Sequence, residues 1–306
     1  MTLEVHQIHS KPDLMIASML RLGTRYLLRP FLSPRLSVSV RRKVYALIVR
    51  SLTRPWSKKA TIRMGEVGGV PGEWIMAHGI ERKPQIIVYL HASLHYLGSP
   101  ATDRTLSTWL SYYSGCEVFC PAYRLAPEHP FPCALHDTLA VYRSLVGKQR
   151  TILAGGSSGG FLALVAAVAL RDAGDRLPEA LLLFYPLIDL YLAADCDELR
   201  EEALLSRNYL QASSNFLLDR ADESVKNSPL TSPLHGDLHG LPPTLIQVGG
   251  YDMICSEGLK LERALGAAGV NVRCERYEKM WHGFLLFTGI LKSAQVALQR
   301  AGKFVE

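Results

Sequence analysis

Between Asp13 and Glu66 the chain has no acidic residue at all. Nor does it contain a Cys-x-x-Cys pair, an internal repeat, a low-complexity tract or an apolar run long enough to cross a bilayer. Each absence excludes something. The six cysteines, Cys116, Cys120, Cys133, Cys196, Cys255 and Cys274, have no regular spacing, so they read as reduced core thiols and not as a disulfide framework or a metal site. The longest apolar stretch near the start, Leu14–Leu20, is too short for a transmembrane helix, and Glu4 and Asp13 precede it. No leader or membrane span is expected, and cytoplasmic residence is the default.

The acid-free stretch holds twelve Lys or Arg, while the whole chain carries only +6, so the remainder is net acidic. Within the stretch Leu36, Val40, Val44, Leu47 and Ile48 recur at helical spacing, with Arg41, Arg42 and Arg50 largely off that stripe. Three readings remain open: a helix packed on the body with its cations solvated, a helix lying on an anionic lipid surface, or attraction to an acidic partner or substrate. No nucleic-acid motif accompanies the charge, so nucleic-acid binding is not expected.

With 306 residues, 48% of them hydrophobic, the chain can bury a large core. Thr61–Val67 and Glu73–His78 read as a hairpin-like pair, and Gln85–Leu90, Glu117–Pro121, Thr151–Ala154, Ala180–Phe184, Thr244–Gly249 and Val272–Tyr277 as strands. Helices are predicted over Thr102–Ser114, Ala134–Val146, Phe161–Leu170, Leu259–Ala268 and Leu285–Ala301. This alternation implies an α/β architecture, a parallel doubly wound sheet with helices on both faces. Residues 1–60 form an N-terminal segment, 61–189 and 241–306 the α/β body, and 190–240, without a strand signal, an insertion able to act as a lid.

Ser157 lies in Gly155-Gly156-Ser157-Ser158-Gly159-Gly160, directly after the Thr151–Ala154 strand. A hydroxyl becomes a useful nucleophile only when exposed on a sharp turn, near a base and near oxyanion donors. Asp252 follows the Thr244–Gly249 strand and His282 follows Val272–Tyr277. In such a sheet the reacting groups belong at the carboxyl ends of strands, and Ser, Asp, His is the chain order of a hydrolase triad. Ser157 is the candidate nucleophile, His282 the base and Asp252 the residue that orients it. His91 and His95 have metal-like spacing but no third ligand nearby, so no metal and no cofactor is expected.

The string Tyr-Arg-Leu-Ala-Pro-Glu-His-Pro-Phe-Pro at 123–132, the G-x-S-x-G-G at 155–160, Asp252 after glycines and His-Gly-Phe at 282–284 are together highly specific. From about 75 to 300 the chain resembles the hormone-sensitive-lipase-type carboxylesterases of the α/β-hydrolase fold. The resemblance implies an eight-stranded, mostly parallel sheet and a helical cap made of the N-terminal segment plus the 190–240 insertion. It implies hydrolysis of short- to medium-chain acyl esters, small-molecule substrates, through an acyl-enzyme. It also suggests a homodimer through the last strand and helix. By position, the oxyanion donors would be the N–H groups of Ser93, Leu94 and Ser158, with His91 supporting the loop by hydrogen bonds. The chain departs from the pattern here: Ala92, Ser93 and Leu94 stand where the family has three glycines, and Ser158 where it has alanine. Reduced or specialised activity is therefore expected, since lost left-handed torsions displace donors. The Ser93 hydroxyl either joins the oxyanion site or merely bonds the loop. Specialised acyl transfer, lactone or amide hydrolysis, a dehydratase reaction and a non-catalytic receptor remain as alternatives, and the retained His282 speaks against the last.

Overall fold

The computed structural model of the chain describes all residues except 1, 9, 34, 191–200 and 220–227. Nine strands form one sheet: β1 Thr2–His6, β2 Ala60–Val67, β3 Val70–Ala77, β4 Ile86–Leu90, β5 Glu117–Pro121, β6 Thr151–Gly156, β7 Leu181–Phe184, β8 Thr244–Gly249 and β9 Val272–Tyr277. Their order is β1-β9-β8-β7-β6-β4-β5-β3-β2. Only the pairs β2–β3 and β3–β5 are antiparallel. The strands predicted from the sequence are all present, within a few residues at their ends.

The apolar runs alternate between two cores. Ile86, Val88 and Leu90 of β4 face one, and Ile87 and Tyr89 face the other. Strands buried on both sides need continuous apolar sequence, which is what β4, β6, β7 and β8 have. Helices α4 (Cys133–Val146), α5 (Ser158–Asp172) and α7 (Cys255–Ala267) cover the first face. Helices α3 (Arg104–Ser114) and α8 (Lys292–Phe304) cover the second.

The structure corrects the eight-strand expectation. The first residues, read as part of a 1–60 N-terminal segment, contribute an extra strand: β1 pairs in parallel with β9. Its alternation was weakly legible because Leu3 and Val5 stay exposed, so burial does little to define it. Glu4 holds it instead, through ion pairs to Arg273 and Arg300. The consequence reaches the expected dimer. The β9 edge, offered to a second copy by the resemblance, is occupied by the chain's own β1.

A second correction concerns helices α1 (Lys11–Gly23) and α2 (Val38–Ser57). The inward face of α2 is not the predicted aliphatic stripe but Arg41, Tyr45 and Val49, one every fourth residue. Val40 and Leu47 point outward. Arg41 is 2% exposed. Its guanidinium lies 4.7 Å from the Tyr96 ring and 5.4 Å from the Phe216 ring, and it donates to the Tyr96 hydroxyl at 2.8 Å. Two aromatic faces and a phenol turn the helix by more than an aliphatic stripe can resist.

Of the 190–240 insertion, the described residues include helix α6 (Arg207–Leu218). The parts at 191–200 and 220–227 lie outside the described residues. The N-terminal segment and the insertion meet: Arg21 and Arg25 donate to the carbonyls of Glu201 and Glu202, and the Tyr209 hydroxyl donates to the carbonyl of Arg29. Among the described residues, no helix is long and apolar enough to cross a membrane.

No carboxylate reaches Arg41 among the described residues, so its value is mainly shape. Arg41→Ala should be less stable than Arg41→Met by about 2–3 kcal/mol, the cost of the cavity. Urea unfolding of both variants measures this; equal midpoints would show that the charge, not the packing, matters.

Candidate active site

Ser157 occupies the turn between β6 and α5 with φ 54° and ψ −119°. A non-glycine residue in that region stores strain, the signature of a side chain forced outward at a turn. Its neighbours must be small. A Cβ on Gly155 would come 2.2 Å from the carbonyl oxygen of Gly159, and one on Gly159 would come 2.1 Å from that of Leu90. The motif's glycines are thus fixed by close backbone approach.

The structure brings all three predicted groups together. Nε2 of His282 is 2.8 Å from the Ser157 hydroxyl, and Nδ1 is 2.8 Å from a carboxylate oxygen of Asp252. All three are almost completely buried. Asp252 follows β8 and His282 follows β9, so the sheet register sets the spacing. The edge of the Tyr185 ring packs against the imidazole at 5.0 Å. Burial would push His282 down, but the Asp252 charge and hydrogen bond, with Glu202, hold it above the ordinary histidine value. An imidazole in this state can accept the serine proton, and the carboxylate steadies the resulting cation.

The oxyanion loop, residues 91–98, is rebuilt. Of the three positions read as replaced glycines, only Leu94 has positive φ, at 46°; His95 follows at 59°. The N–H groups of Leu94 and Ser158 make no hydrogen bond among the described residues and remain available. The Ser93 N–H does not: it donates to the Ser158 hydroxyl at 3.1 Å. This corrects the expectation of three free donors. The Ser93 hydroxyl is likewise occupied. It sits 2.8 Å from the Ser158 hydroxyl, accepts from the His95 N–H and lies 3.2 Å from the Tyr123 hydroxyl. The two serines that replace small family residues are therefore bonded to each other.

His91 supports the loop, but not as expected. Its Nδ1 is buried without a partner. The ring stacks on Tyr123 at 4.3 Å, and its carbonyl accepts from the Tyr123 hydroxyl at 2.6 Å. Burial lowers its pKa to about 4 and that of His95 to about 3, so both rings are neutral.

Several residues at the site carried no readable sequence signal. Asp103 is fully buried and accepts from the Ala92 N–H and the Tyr89 hydroxyl, fixing the start of the loop. Arg42 donates to the carbonyls of Tyr96 and Ala126 and grips Glu128 with two hydrogen bonds. The carboxylate of Glu202 reaches the main chain on either side of the triad. Beside Ser157 lies a cavity of about 30 Å³, lined by Tyr45, Leu94, Leu97, Leu204, Leu205 and Leu286 among others. A larger cavity of about 280 Å³, between β1, β9 and the start of α8, contains none of these groups.

A parallel sheet of this order, with a serine on a strand-to-helix turn and an acid and a histidine after later strands, defines the α/β-hydrolase class. Residues 87–286 match the family described as alpha/beta hydrolase fold. An acetyl-hydrolase of Streptomyces hygroscopicus is 36% identical over 245 residues, 78% of this chain and 80% of its own. An esterase of Acinetobacter venetianus is 33% identical over 256 residues, covering 82% and 83%. The crystal structure of an esterase from the bacterial hormone-sensitive lipase family superposes with a TM-score of 0.86 at 31% identity, over 97% of this chain and 98% of that one. The chain belongs to the hormone-sensitive-lipase-type esterases of the α/β-hydrolase fold. It is a hydrolase of carboxylic esters.

Releasing the captured N–H tests the loop. An oxyanion donor is worth roughly 10²–10³ in kcat. The double variant Ser93→Gly, Ser158→Ala should therefore raise kcat on p-nitrophenyl acetate by about tenfold or more, even with imperfect alignment. Unchanged kcat would mean that this N–H does not reach the oxyanion even when free.

Proposed function

We propose that the protein hydrolyses short-chain acyl esters through an acyl-enzyme on Ser157, with Asp252 orienting His282. The observation that carries this reading is the buried line of two 2.8 Å contacts from hydroxyl to imidazole to carboxylate. His282 takes the serine proton as Oγ attacks the carbonyl carbon, then returns it to the leaving alcohol. Water, deprotonated by the same imidazole, releases the acid. The N–H groups of Leu94 and Ser158 receive the developing oxyanion.

The cavity of about 30 Å³ beside Ser157 favours an acyl group of acetyl size. Leu94, whose side chain stands where the resemblance has a glycine, lines that space. The name of the Streptomyces relative, an acetyl-hydrolase, supports the same substrate class. The helices of residues 1–60, with α6, act as the cap over this cavity. A specialised site follows: rates should fall steeply with acyl length. Ser157→Ala should lower kcat/KM for p-nitrophenyl acetate by roughly 10⁴-fold or more and abolish labelling by a fluorophosphonate probe. A variant that keeps its activity would overturn the assignment.

We also propose that the cap meets anionic lipid. Met15, Met19, Leu22 and Tyr26 form one exposed apolar stripe along α1 and its continuation. On α2, Val40 and Leu47 are exposed together with Lys43 and Arg50, and no acid interrupts the region. Apolar side chains interleaved with uncompensated cations suit a negatively charged interface. Full-length protein should sediment with vesicles containing phosphatidylglycerol and not with phosphatidylcholine alone, and Met19→Glu should weaken the binding. Equal behaviour with both vesicles would refute the lipid contact. A homodimer formed at this edge of the sheet would pair through β1 instead of β9.

A further inference from the structure

Glu202 is 2% exposed and no lysine or arginine reaches its carboxylate among the described residues. What surrounds it is main chain. One oxygen accepts from the N–H groups of Leu204 at 2.6 Å and Leu205 at 3.0 Å. The other accepts from the N–H groups of Met253 at 3.3 Å and His282 at 3.4 Å. Met253 adjoins Asp252, so a single side chain ties the cap segment to both loops that carry the acid and the base.

All four neighbours are donors. A proton on either oxygen would face an N–H, so these four contacts favour the ionised form. A buried carboxylate without a cation is costly. Arg25 does not relieve it, because its guanidinium holds the Glu202 carbonyl and not the carboxylate. The positive charge that acts on the carboxylate is the one that forms on His282 during turnover.

We propose that Glu202 is a positioning residue of the hydrolytic site: its carboxylate locks the Asp252 and His282 loops to the cap and supplies a second negative charge that favours the imidazolium. The proposal rests on the Ser157–His282–Asp252 reading above. The groups that face the imidazole are Ser157 from the β6–α5 turn, Asp252 after β8, Glu202 from the cap segment and the Tyr185 ring after β7. Burial first, and Asp252 after it, hold the Glu202 carboxyl above its ordinary value, and His282 with the Leu204 and Leu205 N–H groups offset this only in part. Against the downward pull of burial, Asp252 first and Glu202 after it raise His282.

The test is the pH profile of kcat/KM for p-nitrophenyl acetate, measured on the full chain. Activity requires a neutral His282, so it falls as pH drops through the histidine's raised pKa. In Glu202→Gln the second charge is gone. Its acid limb should move to lower pH by about half a unit or more, and kcat should fall about 10- to 100-fold with KM little changed. Glu202→Asp keeps the charge but withdraws it, and should lie between the two in both respects. An amide variant that loses activity with its acid limb unmoved would reduce Glu202 to scaffolding and overturn the proposal, as would wild-type kinetics. If the amide variant does not fold, Glu202→Asp decides: wild-type limb and wild-type kcat together overturn it. These outcomes are separate from the parent reading, which fails only if Ser157→Ala stays active.

Discussion

An imidazole held from both sides governs this structure. In water a histidine side chain samples its rotamers freely and hydrogen-bonds to solvent. Here each nitrogen of His282 has one partner at 2.8 Å, and water is almost excluded. The sheet makes that possible. Asp252 and His282 leave adjacent parallel strands, β8 and β9, and Ser157 leaves β6, one strand further on past β7. Strand spacing and parallel direction deliver three distant residues to one end of the sheet. The tight turn at Ser157 then needs Gly155 and Gly159, because backbone atoms fill the space a side chain would take.

The basic N-terminal segment is more than a solvated face. Four of its arginines work on the rest of the molecule. Arg21 and Arg25 hold the carbonyls of Glu201 and Glu202. Arg41 lies between two aromatic rings, and Arg42 bridges the oxyanion loop to the 123–132 stretch. Guanidinium suits this work: it offers several fixed donors to carbonyl oxygens and a flat face to aromatics. Of its remaining cations, Lys43 and Arg50 lie exposed on α2.

How much was legible in the sequence follows from the kind of signal each feature leaves. Parallel strands buried on both sides must be written as largely apolar runs, so β4 and β6 to β8 could be read. The triad could be read because chain order and strand ends constrain it. The phase of α2 could not, since a buried arginine scores as a surface residue until Tyr96 and Phe216 are brought against it. β1 escaped notice because its apolar side chains are exposed and its hold is a ladder plus ion pairs. Asp103 and Glu202 escaped for a shared reason: their partners include main-chain N–H groups, which nearly every residue has and no motif encodes.

The oxyanion loop shows what replaces glycine when glycine is absent. Leu94 and His95 occupy left-handed torsions that cost about 1–2 kcal/mol each for an L-residue. Local sequence cannot hold them there, so the surroundings must. Ser213 of α6 donates to the Leu94 carbonyl at 2.7 Å, Arg42 donates to the carbonyl of Tyr96, and Asp103 anchors Ala92. Every one of these contacts except Asp103 comes from the N-terminal segment or from α6. A glycine loop would be free to take its shape alone; this one is held from two sides, by the N-terminal segment and α6 and by body contacts such as the Ser93 N–H to Ser158 and the Ala126 N–H to the His95 carbonyl. The shape of the oxyanion loop is thus written in contacts from several elements and not in the loop's own residues.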